Sequence, residues 1–463
     1  MKIYNTMTRQ KEELKPITDG IVKIYCCGPT VYNLIHIGNA RALCVFDTLR
    51  RYLEFRGYKV LYVQNFTDVD DKIIKKANEL GKTASEVSEN AIKEYFVDAQ
   101  GLNVRKADIH PKVTENMGII IDIVKTLIDK GYAYEADGDV YFETKKFPEY
   151  GKLSHMPLED LQAGARIEVG EKKRDPMDFA VWKAAKPGEP YWDSPFGKGR
   201  PGWHIECSAM SRHYIGDTID IHGGGSDLIF PHHENEIAQS ECATGSPLAN
   251  IWMHNGMLMV DGRKMSKSLG NFHMVRDLAE KFGYEAIRYL LLSVQYRSQL
   301  NFTFDAIESC KAALQRLYTC RDAMERVKSA AKDGEACAQT LEAVKTARAD
   351  FIAAMDDDFN TADGIAVLFE LVRKINSALA SPDVTKGDVA AYYDEFSALT
   401  NVLGLLYNKE NDEIPAEVTD LVEQRRAARK AKDFALADEL RDRITALGYT
   451  VEETRQGTIV KKA

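Results

Sequence analysis

The stretch from residue 20 to residue 65 constrains the fold more than any other part of this sequence. GIVKIYCCG (20–28) is an apolar, β-prone run that ends at a Gly-Pro pair, so it predicts a strand followed by a turn. Residues 38–57 repeat apolar side chains at helical spacing, and YKVLYVQN (58–65) predicts a second strand. A strand, a helix and a strand within about 45 residues favour a right-handed βαβ unit in a parallel sheet. Ligands of such a sheet are expected at the carboxyl ends of its strands.

The rest of the chain predicts further domains, because 463 residues exceed what one core usually holds. Residues 131–200 are rich in Gly and Pro and are typical of an insertion. Beyond residue 276 the pattern is nearly all helical, at 283–296, 305–330, 337–355 and 362–380. A polar linker is expected at 408–417, followed by a helical pair rich in Lys and Arg.

Composition limits the classes of function. Eight cysteines are too few for a disulfide scaffold, so we expect a reducing, cytoplasmic setting. The sequence has no charge-free apolar run of the roughly 20 residues that a membrane helix needs, and no membrane association is expected. The net charge of −9 argues against unspecific coating of nucleic acid. It leaves open a shaped nucleic-acid partner that meets local basic patches.

The segment IFPHHENEIAQSEC (229–242) carries candidate metal ligands. His232 and Glu236 are four residues apart and share one helix face, whereas His233 points about 100° away. One His and one Glu are half of a zinc site, and thiolates such as those of Cys27 and Cys207 are suitable partners. By themselves, these residues fit a solvated helix and two buried cysteines better than a metal site.

Two further motifs change that balance. GRKMSKSLGN (262–271) places Lys264 and Lys267 in a Gly-flanked loop, where they can neutralise charge on a departing pyrophosphate. PTVYNLIHIGNAR (29–41) opens the first helix with His36 and Gly38, at a point suited to phosphate binding and close backbone approach. Each motif alone also fits an ordinary basic turn or helix start. Together, and in this order, they are a specific signal.

The pair HIGN and KMSKS resembles the two signature motifs of class I aminoacyl-tRNA synthetases. CCGPTVYN, FTDVDDKI, GWHIECSAM, DIHGGGSDLIFPHHENEIAQSE and DDDFNTADGIAVLFEL resemble the cysteinyl-tRNA synthetase family in particular. The resemblance implies an α/β fold: a Rossmann-type parallel-sheet catalytic domain with an insertion, then a helical anticodon-binding bundle and a small C-terminal segment. The expected divisions are the first catalytic half at 1–110, a connective insertion at 111–200, the second catalytic half with the KMSKS loop at 201–270, a stem-contact helical region at 271–325, the anticodon-binding bundle at 326–407, and a linker with a basic segment at 408–463.

The same resemblance implies one tetrahedral Zn²⁺ held by Cys27, Cys207, His232 and Glu236. His233 and Glu234 would then not be ligands. The neighbouring Cys26 remains an alternative to Cys27.

The resemblance also implies roles around the substrates. The catalytic residues would be His36, Lys264 and Lys267, and the ATP-binding residues would be His36, Gly38, Asn39, Asp227 and Lys267, with Mg²⁺ accompanying ATP. Thr67, Trp203 and His222 would contact the amino acid, although plain core packing explains Trp203 and His222 equally well. Asn39 departs from the family pattern, which often has His there, so its catalytic role carries less weight.

The implied reaction attaches L-cysteine to tRNA(Cys) through cysteinyl-adenylate. A zinc ion would select the thiol over the nearly isosteric hydroxyl of serine, since a soft metal prefers sulfur. The chain is expected to be a monomer. Basic residues in the C-terminal segment could meet the anticodon stem-loop or simply form a solvated face: Arg425, Arg426, Arg429, Lys430 and Lys432.

Two other functions stay open at this level. One is a cysteine ligase of the same ancestry that uses an amino-sugar as acceptor, and it would not need the long helical region. The other is a non-catalytic, zinc-stabilised nucleotide-binding protein, which leaves the KMSKS loop unexplained.

Overall fold

The computed structural model describes residues 1–155, 173–266, 270–408, 415–454 and 457–462. These residues form two compact units, Met1–Leu406 and Tyr407–Ala463. No helix in the described ranges is long and apolar enough to cross a bilayer.

The strands of the first unit are β1 Lys2–Asn5, β2 Gln10–Glu13, β3 Ile21–Cys26, β4 Lys59–Gln64, β5 Ala133–Ala136, β6 Asp139–Phe142, β7 Phe179–Ala184, β8 Gly199–Pro201, β9 Ile219–Gly225, β10 Ala249–Asn255, β11 Leu258–Val260, β12 Arg263–Lys264 and β13 Leu300–Phe302. Its α-helices are α1 Ile37–Phe55, α2 Asp71–Leu80, α3 Ala84–Gly101, α4 Met117–Asp129, α5 Trp203–Tyr214, α6 Glu234–Thr244, α7 Val275–Phe282, α8 Tyr284–Leu292, α9 Phe304–Ala330, α10 Ala338–Asp356, α11 Thr361–Leu379 and α12 Lys386–Leu403.

A four-stranded parallel sheet, in the order β10-β9-β3-β4, forms the centre of the first unit. It contains the predicted βαβ unit, since β3 and β4 pair in parallel from Ile21 opposite Lys59 to Cys26 opposite Gln64. Helix α1 connects these strands and buries Phe46 and Leu49 completely. The α/β architecture with a parallel sheet is therefore confirmed.

Two glycines allow the layers to approach closely. A Cβ atom on Gly223 of β9 would lie 2.3 Å from the Phe46 ring, so only glycine lets α1 pack at this distance. A Cβ atom on Gly28, directly after β3, would lie 1.6 Å from the carbonyl oxygen of Asn65. The carboxyl ends of β3, β4 and β9 thus lie together at one edge of the sheet, where ligands of such sheets bind.

The predicted loop-rich insertion contains a second sheet. Strands β5 to β8 pair antiparallel in the order β5-β6-β7-β8 and bury Val140, Phe142, Val181 and Trp182. The strands have only three to six residues each, too short for a clear alternation in the sequence. Residues 156–172 of this region lie outside the described residues.

The helical region follows the prediction closely. The predicted helices 305–330, 337–355 and 362–380 correspond to α9, α10 and α11, with bounds that differ by at most one residue. The predicted helix 283–296 corresponds to α8, which ends four residues earlier than expected, at Leu292. Leucines and aromatics at three- and four-residue spacing fill the core between α10, α11 and α12, including Phe351, Leu368, Leu371 and Phe396.

The second unit contains the predicted helical pair and a hairpin that the sequence analysis missed. Helices α13, Ala416–Lys430, and α14, Phe434–Ala446, pack through Val418, Leu421, Leu440 and Ile444. Strands β14, Tyr449–Thr454, and β15, Gly457–Lys462, pair antiparallel after them. Most of the predicted linker, residues 409–414, lies outside the described residues.

Candidate functional site

Four side chains from three segments converge at the carboxyl edge of the parallel sheet. Cys27 follows β3, and Cys207 lies on α5. His232 lies in the turn directly before α6, and Glu236 lies in the first turn of α6. The Cys27 sulfur is 3.7 Å from the Cys207 sulfur and 3.3 Å from Oε1 of Glu236, which is 2.9 Å from Nε2 of His232. One ligand atom from each residue lies within 4.8 Å of every other. The cluster is therefore able to hold a metal ion.

The cluster carries buried charge. The hydrogen bond from Cys27 lowers the pKa of the Cys207 thiol to about 6, although burial opposes this. Burial also opposes ionisation of Glu236, but the nearby His222 and His232 hold the pKa of its carboxyl well below its usual range. For His232 burial favours the neutral form, yet the Glu236 carboxylate raises its pKa to about 10. Such charges are tolerated in an interior only with compensating partners.

The donor chemistry fits a zinc ion. Two sulfur atoms, an imidazole nitrogen and a carboxylate oxygen are ligand types that Zn²⁺ takes in proteins. Oε2 of Glu236 is buried without a hydrogen-bond partner among the described residues, which leaves an acceptor directed into the cluster. The ring of His232 is oriented by a 2.9 Å contact from its Nδ1 to Nδ1 of His204, the kind of outer contact that metal-binding histidines usually make.

Two further histidines border the same point. Nε2 of His222, on β9, lies 3.5 Å from the Cys27 sulfur and 3.3 Å from Oε2 of Glu236. Nε2 of His233 lies 3.9 Å from Oε1 of Glu236. Together with Cys27 and Glu236 they form a second group of four potential ligands. The sequence analysis assigned neither histidine to a metal: the resemblance implied that His222 contacts the amino acid and that His233 is not a ligand.

Cys26 lies on the other side of the strand. Successive side chains of a strand point to opposite faces, so Cys26 belongs to the core beside α1 whereas Cys27 joins the cluster. Burial raises the pKa of the Cys26 thiol to about 12. Neither four-residue group among the described residues includes it.

Aromatic rings line the approach to the cluster. The ring of Trp203, at the start of α5, stacks on the ring of His232 with centroids 4.2 Å apart. The ring of His222 stacks on that of Tyr25, with centroids 5.3 Å apart, and contacts the tilted ring of Trp252 at 4.4 Å. Trp203 keeps part of its surface exposed whereas His222 is fully buried, so Trp203 faces the open side.

Thr67 is held by a residue that the sequence analysis missed. Its hydroxyl donates to Oε2 of Glu206 at 2.8 Å, and both side chains are buried. Burial raises the pKa of Glu206 well above its usual value. Glu206 precedes Cys207 in the chain, and that adjacency was the available signal.

The start of α1 is an N-terminal capping box. Nδ1 of His36 accepts from the backbone N–H of Asn39 at 3.3 Å, and Oδ1 of Asn39 accepts from the backbone N–H of His36 at 3.2 Å. Asn39, the departure from the family pattern, therefore orders the helix start through its side chain. The start of a helix is the kind of position at which an anion binds, and Gly38 lies in this turn.

Met265, in the described part of the KMSKS motif, lies near this helix start. A Cβ atom on Gly38 would lie 3.4 Å from the methyl carbon of Met265, and 3.0 Å from the His36 ring. The backbone N–H of Ile37 donates to the carbonyl of His273 at 3.1 Å. The two motifs, more than two hundred residues apart in sequence, are thus neighbours in space.

The remaining predicted nucleotide residues differ in position. Lys264 lies on β12 and is exposed, and Asp227 is exposed in the turn after β9. Lys267 falls in residues 267–269, outside the described residues.

The fold and the paired motifs define a class I aminoacyl-tRNA synthetase. Residues 13–312 match the family model for the catalytic domain of class I (C) tRNA synthetases. Among solved structures, a methionyl-tRNA synthetase of Mycobacterium tuberculosis in complex with methionyl-adenylate superposes with a TM-score of 0.60 and 15% identity, over 83% of this chain and 89% of that one. This likeness supports the fold.

The family within that class follows from closer relatives. The cysteine–tRNA ligase of Geobacillus thermodenitrificans is 54% identical over 463 residues, covering 100% of this chain and 99% of that protein. The cysteine–tRNA ligase of Caldicellulosiruptor saccharolyticus is 54% identical over 465 residues, covering 100% of both. Residues 350–407 match a DALR domain, and residues 411–459 match a cysteinyl-tRNA ligase anticodon binding domain. The chain belongs to the cysteine–tRNA ligase family, and it is an enzyme.

Proposed function

We propose that this chain joins L-cysteine to tRNA(Cys) in two steps driven by ATP. The cysteine carboxylate attacks the α-phosphorus of ATP, which forms cysteinyl-adenylate and releases pyrophosphate. The terminal ribose hydroxyl of the tRNA then takes the cysteinyl group and releases AMP. The observation that carries the proposal is the cluster of thiol, imidazole and carboxylate groups at the sheet edge that also bears the HIGN turn, in a chain of this family.

In this proposal one Zn²⁺ is held by Cys27, Cys207, His232 and Glu236. When bound, a zinc ion supplies a soft Lewis acid that prefers the substrate's sulfur to the hydroxyl of serine. The protein's contribution is a buried, pre-arranged donor set, and the contact between His232 and His204 orients one donor ring. Selection by coordination explains how cysteine is chosen without an editing step.

Around the nucleotide, the residues act mainly by position and charge. The helix start with His36, Gly38 and Asn39 would bind the phosphates of ATP, which Mg²⁺ accompanies, while Lys264 and Lys267 would stabilise the leaving pyrophosphate. Asp227 would meet the adenosine ribose from its exposed turn. Phosphoryl chemistry of this kind depends more on such positioning than on covalent catalysis.

Three side chains would contact the amino acid. Trp203 stacks on His232 and keeps an exposed edge, and His222 borders the cluster from β9. Thr67 is fixed by Glu206 after β4. Their shared position at one edge of the sheet supports this role over plain core packing.

The tRNA would lie along the helical region. We retain the divisions expected from the sequence, with a stem-contact region at 271–325 and an anticodon-binding bundle at 326–407, and extend anticodon contact to the second unit because of its family match. Its basic residues Arg426, Arg429, Lys430 and Lys432 are exposed, whereas Arg425 is 7% exposed and is better assigned to packing. A cytoplasmic monomer remains our prediction.

The two other functions, an amino-sugar ligase and a non-catalytic nucleotide-binding protein, have less support. An amino-sugar ligase would have no use for residues that match an anticodon-binding domain. A regulator without catalysis would not need the KMSKS motif, whose Met265 lies near the helix start. Charging of tRNA(Cys) separates the two enzymes, and cysteine-dependent ATP–pyrophosphate exchange separates both from the regulator.

A matched pair of adjacent cysteines tests the metal in this proposal. Cys27→Ala should abolish zinc binding and raise the KM for cysteine about 100-fold or more. The reason is that the thiol of the substrate would lose the metal ion that distinguishes it from the hydroxyl of serine. The KM for ATP should change little. Cys26→Ala, on the opposite face of the same strand, should leave zinc content and cysteine KM unchanged. An unchanged cysteine KM in zinc-free Cys27→Ala would contradict selection by the metal.

A further inference from the structure

We propose that the pocket offers its metal ion two overlapping sets of ligands, and that His222 and His233 form a second seat. This inference rests on the metal of the proposed function and extends it. The first seat is Cys27, Cys207, His232 and Glu236, and the second is Cys27, His222, His233 and Glu236. Because Cys27 and Glu236 belong to both sets, one ion occupies one seat at a time.

The second seat has the chemistry of a zinc site. Its donors are one sulfur, two imidazole nitrogens and one carboxylate oxygen, and its members lie within 4.8 Å of one another. His222, His233 and Glu236 are fully buried, and Cys27 is partly buried. The site is thus as enclosed as the first one.

Two atoms of the second seat are buried with unused bonding capacity. In the described part of the chain, Nε2 of His233 and Oε2 of Glu236 have no hydrogen-bond partner. Both point into the second group: Nε2 of His233 lies 3.9 Å from the other carboxylate oxygen, and Oε2 lies 3.3 Å from Nε2 of His222. Buried polar atoms are rarely left unsatisfied, and each exception calls for an explanation such as an ion.

His233 is also oriented as a ligand. Its Nδ1 lies 2.8 Å from Nε2 of His254, whose Nδ1 lies 2.8 Å from the Thr6 hydroxyl. This chain fixes the ring and leaves Nε2 directed inward, in parallel with the contact that His204 makes to His232. Outer contacts of this kind are a regular feature of metal-binding histidines.

The two seats differ in sulfur content, which decides their order. The first offers two thiols and the second offers one, so zinc should prefer the first when all side chains are intact. Removing Cys207 should move the ion to His222 and His233 without expelling it. The second seat would therefore retain metal when the first is damaged.

A crossed set of variants tests this. His→Asn keeps a polar group near Nδ1, and thus the contact to His204 or His254, while deleting the Nε2 donor. In the otherwise unchanged protein, His232→Asn should weaken Zn²⁺ binding at least about 100-fold, since even changes to groups that only orient ligands cost about 10–100-fold. His233→Asn should weaken it less than about 10-fold.

In the Cys207→Ser background the order should reverse. Zn²⁺ binding is measured by competition with a chromophoric chelator, with circular dichroism to verify folding of each variant. Here His233→Asn should cause the large loss and His232→Asn the small one. The thiolate-to-cobalt absorption of the Co²⁺ form of Cys207→Ser should fall to about half, because one of two thiolates is gone.

The outcomes separate the two proposals. If the unchanged protein binds no Zn²⁺, both the metal of the proposed function and the second seat fail. If it binds Zn²⁺ but folded Cys207→Ser does not, or if His233→Asn has the same small effect in both backgrounds, the second seat alone is overturned.

Discussion

At the scale of single residues, Gly28 shows how backbone space determines the site. The backbone N–H of Gly28 donates to Oδ1 of Asn65 at 2.9 Å, and the carbonyl of Asn65 occupies the position that a Cβ atom would need. The adjacent Cys27 is thereby held at the end of β3, where its sulfur reaches the cluster. A glycine next to a candidate ligand therefore has a steric reason.

A pair of glycine substitutions tests this reason. Gly28→Ala should destabilise the protein by about 1–3 kcal/mol, because a backbone atom cannot move aside as a side chain can. Gly118→Ala, exposed in the first turn of α4 with nothing within 4 Å of the added carbon, should be neutral or stabilising by up to about 1 kcal/mol. Urea unfolding midpoints of both variants provide the measurement. If both substitutions changed the unfolding midpoint equally, β3 and β4 would be shown to move apart easily at Gly28.

At the scale of elements, the start of α1 combines two tasks. Its capping box satisfies the backbone N–H groups of His36 and Asn39, and the same turn faces the KMSKS loop through Met265. In the proposed function, Asn39 therefore links helix stability to nucleotide binding.

Two substitutions of Asn39 separate these tasks. Asn39→Asp keeps a side-chain oxygen that can accept from the His36 backbone N–H, so stability should be retained, but the new negative charge should raise the KM for ATP. Asn39→Ala should lose about 0.5–1 kcal/mol of stability through the missing acceptor. Unfolding curves and ATP–pyrophosphate exchange give the two readouts. An unchanged KM in Asn39→Asp would place the phosphates elsewhere.

At the scale of the whole first unit, a buried ion pair joins distant segments. Arg288 on α8 donates to Oδ2 of Asp47 on α1 at 2.7 Å, and to the carbonyls of Leu403 and Leu102 at 2.8 and 3.0 Å. Arg288 and Asp47 are 0% and 1% exposed. Arg288 therefore joins the end of α12 and the end of α3 to α1, the helix that begins at the HIGN turn.

The ionisation of Asp47 makes the stabilising effect of its ion pair with Arg288 depend on pH. Burial alone would raise the pKa of Asp47, but Arg288 and Arg51 outweigh it and hold the pKa below its usual value. A carboxyl with a lowered folded-state pKa stabilises fully above the pKa of unfolded aspartate, about 3.9, and loses that contribution as the pH falls through the folded value.

Asp47→Asn should therefore cost about 3 kcal/mol at pH 7, because it leaves Arg288 buried without its counterion, and the difference from the unchanged protein should narrow below about pH 4. Urea unfolding between pH 7 and pH 3.5 measures it. The exposed pair of Lys332 and Asp383, 2.6 Å apart, supplies the control, and Asp383→Asn should change stability little at any pH. A difference that stays constant with pH would contradict this account.

Much of the fold was predictable from the sequence, because the spacing of apolar residues along the chain predicts strands and helices. The βαβ unit, the helices after residue 276 and the spacing of His232 and Glu236 on adjacent turns all depend on neighbours in sequence. The motifs also indicated the class, because HIGN and KMSKS are specific as a pair, and the longer segments such as CCGPTVYN and GWHIECSAM indicated the family. The antiparallel sheet of the insertion was missed, since most of its strands are too short to show a clear period. The terminal hairpin, with strands of six residues, was also missed.

Which side chains meet was decided by tertiary structure. Cys27 and Glu236 are separated by 209 positions, and their 3.3 Å contact exists because β3 and β9 pair side by side. The same pairing brings His222 to the cluster, and the alternation of side chains along the strand sends Cys26 to the opposite face. The sequence alone determines helices and strands, because these depend on the local spacing of apolar residues. Which distant side chains meet depends on the order of the strands in the sheet and on the packing of helices against it, and no local sequence pattern predicts these.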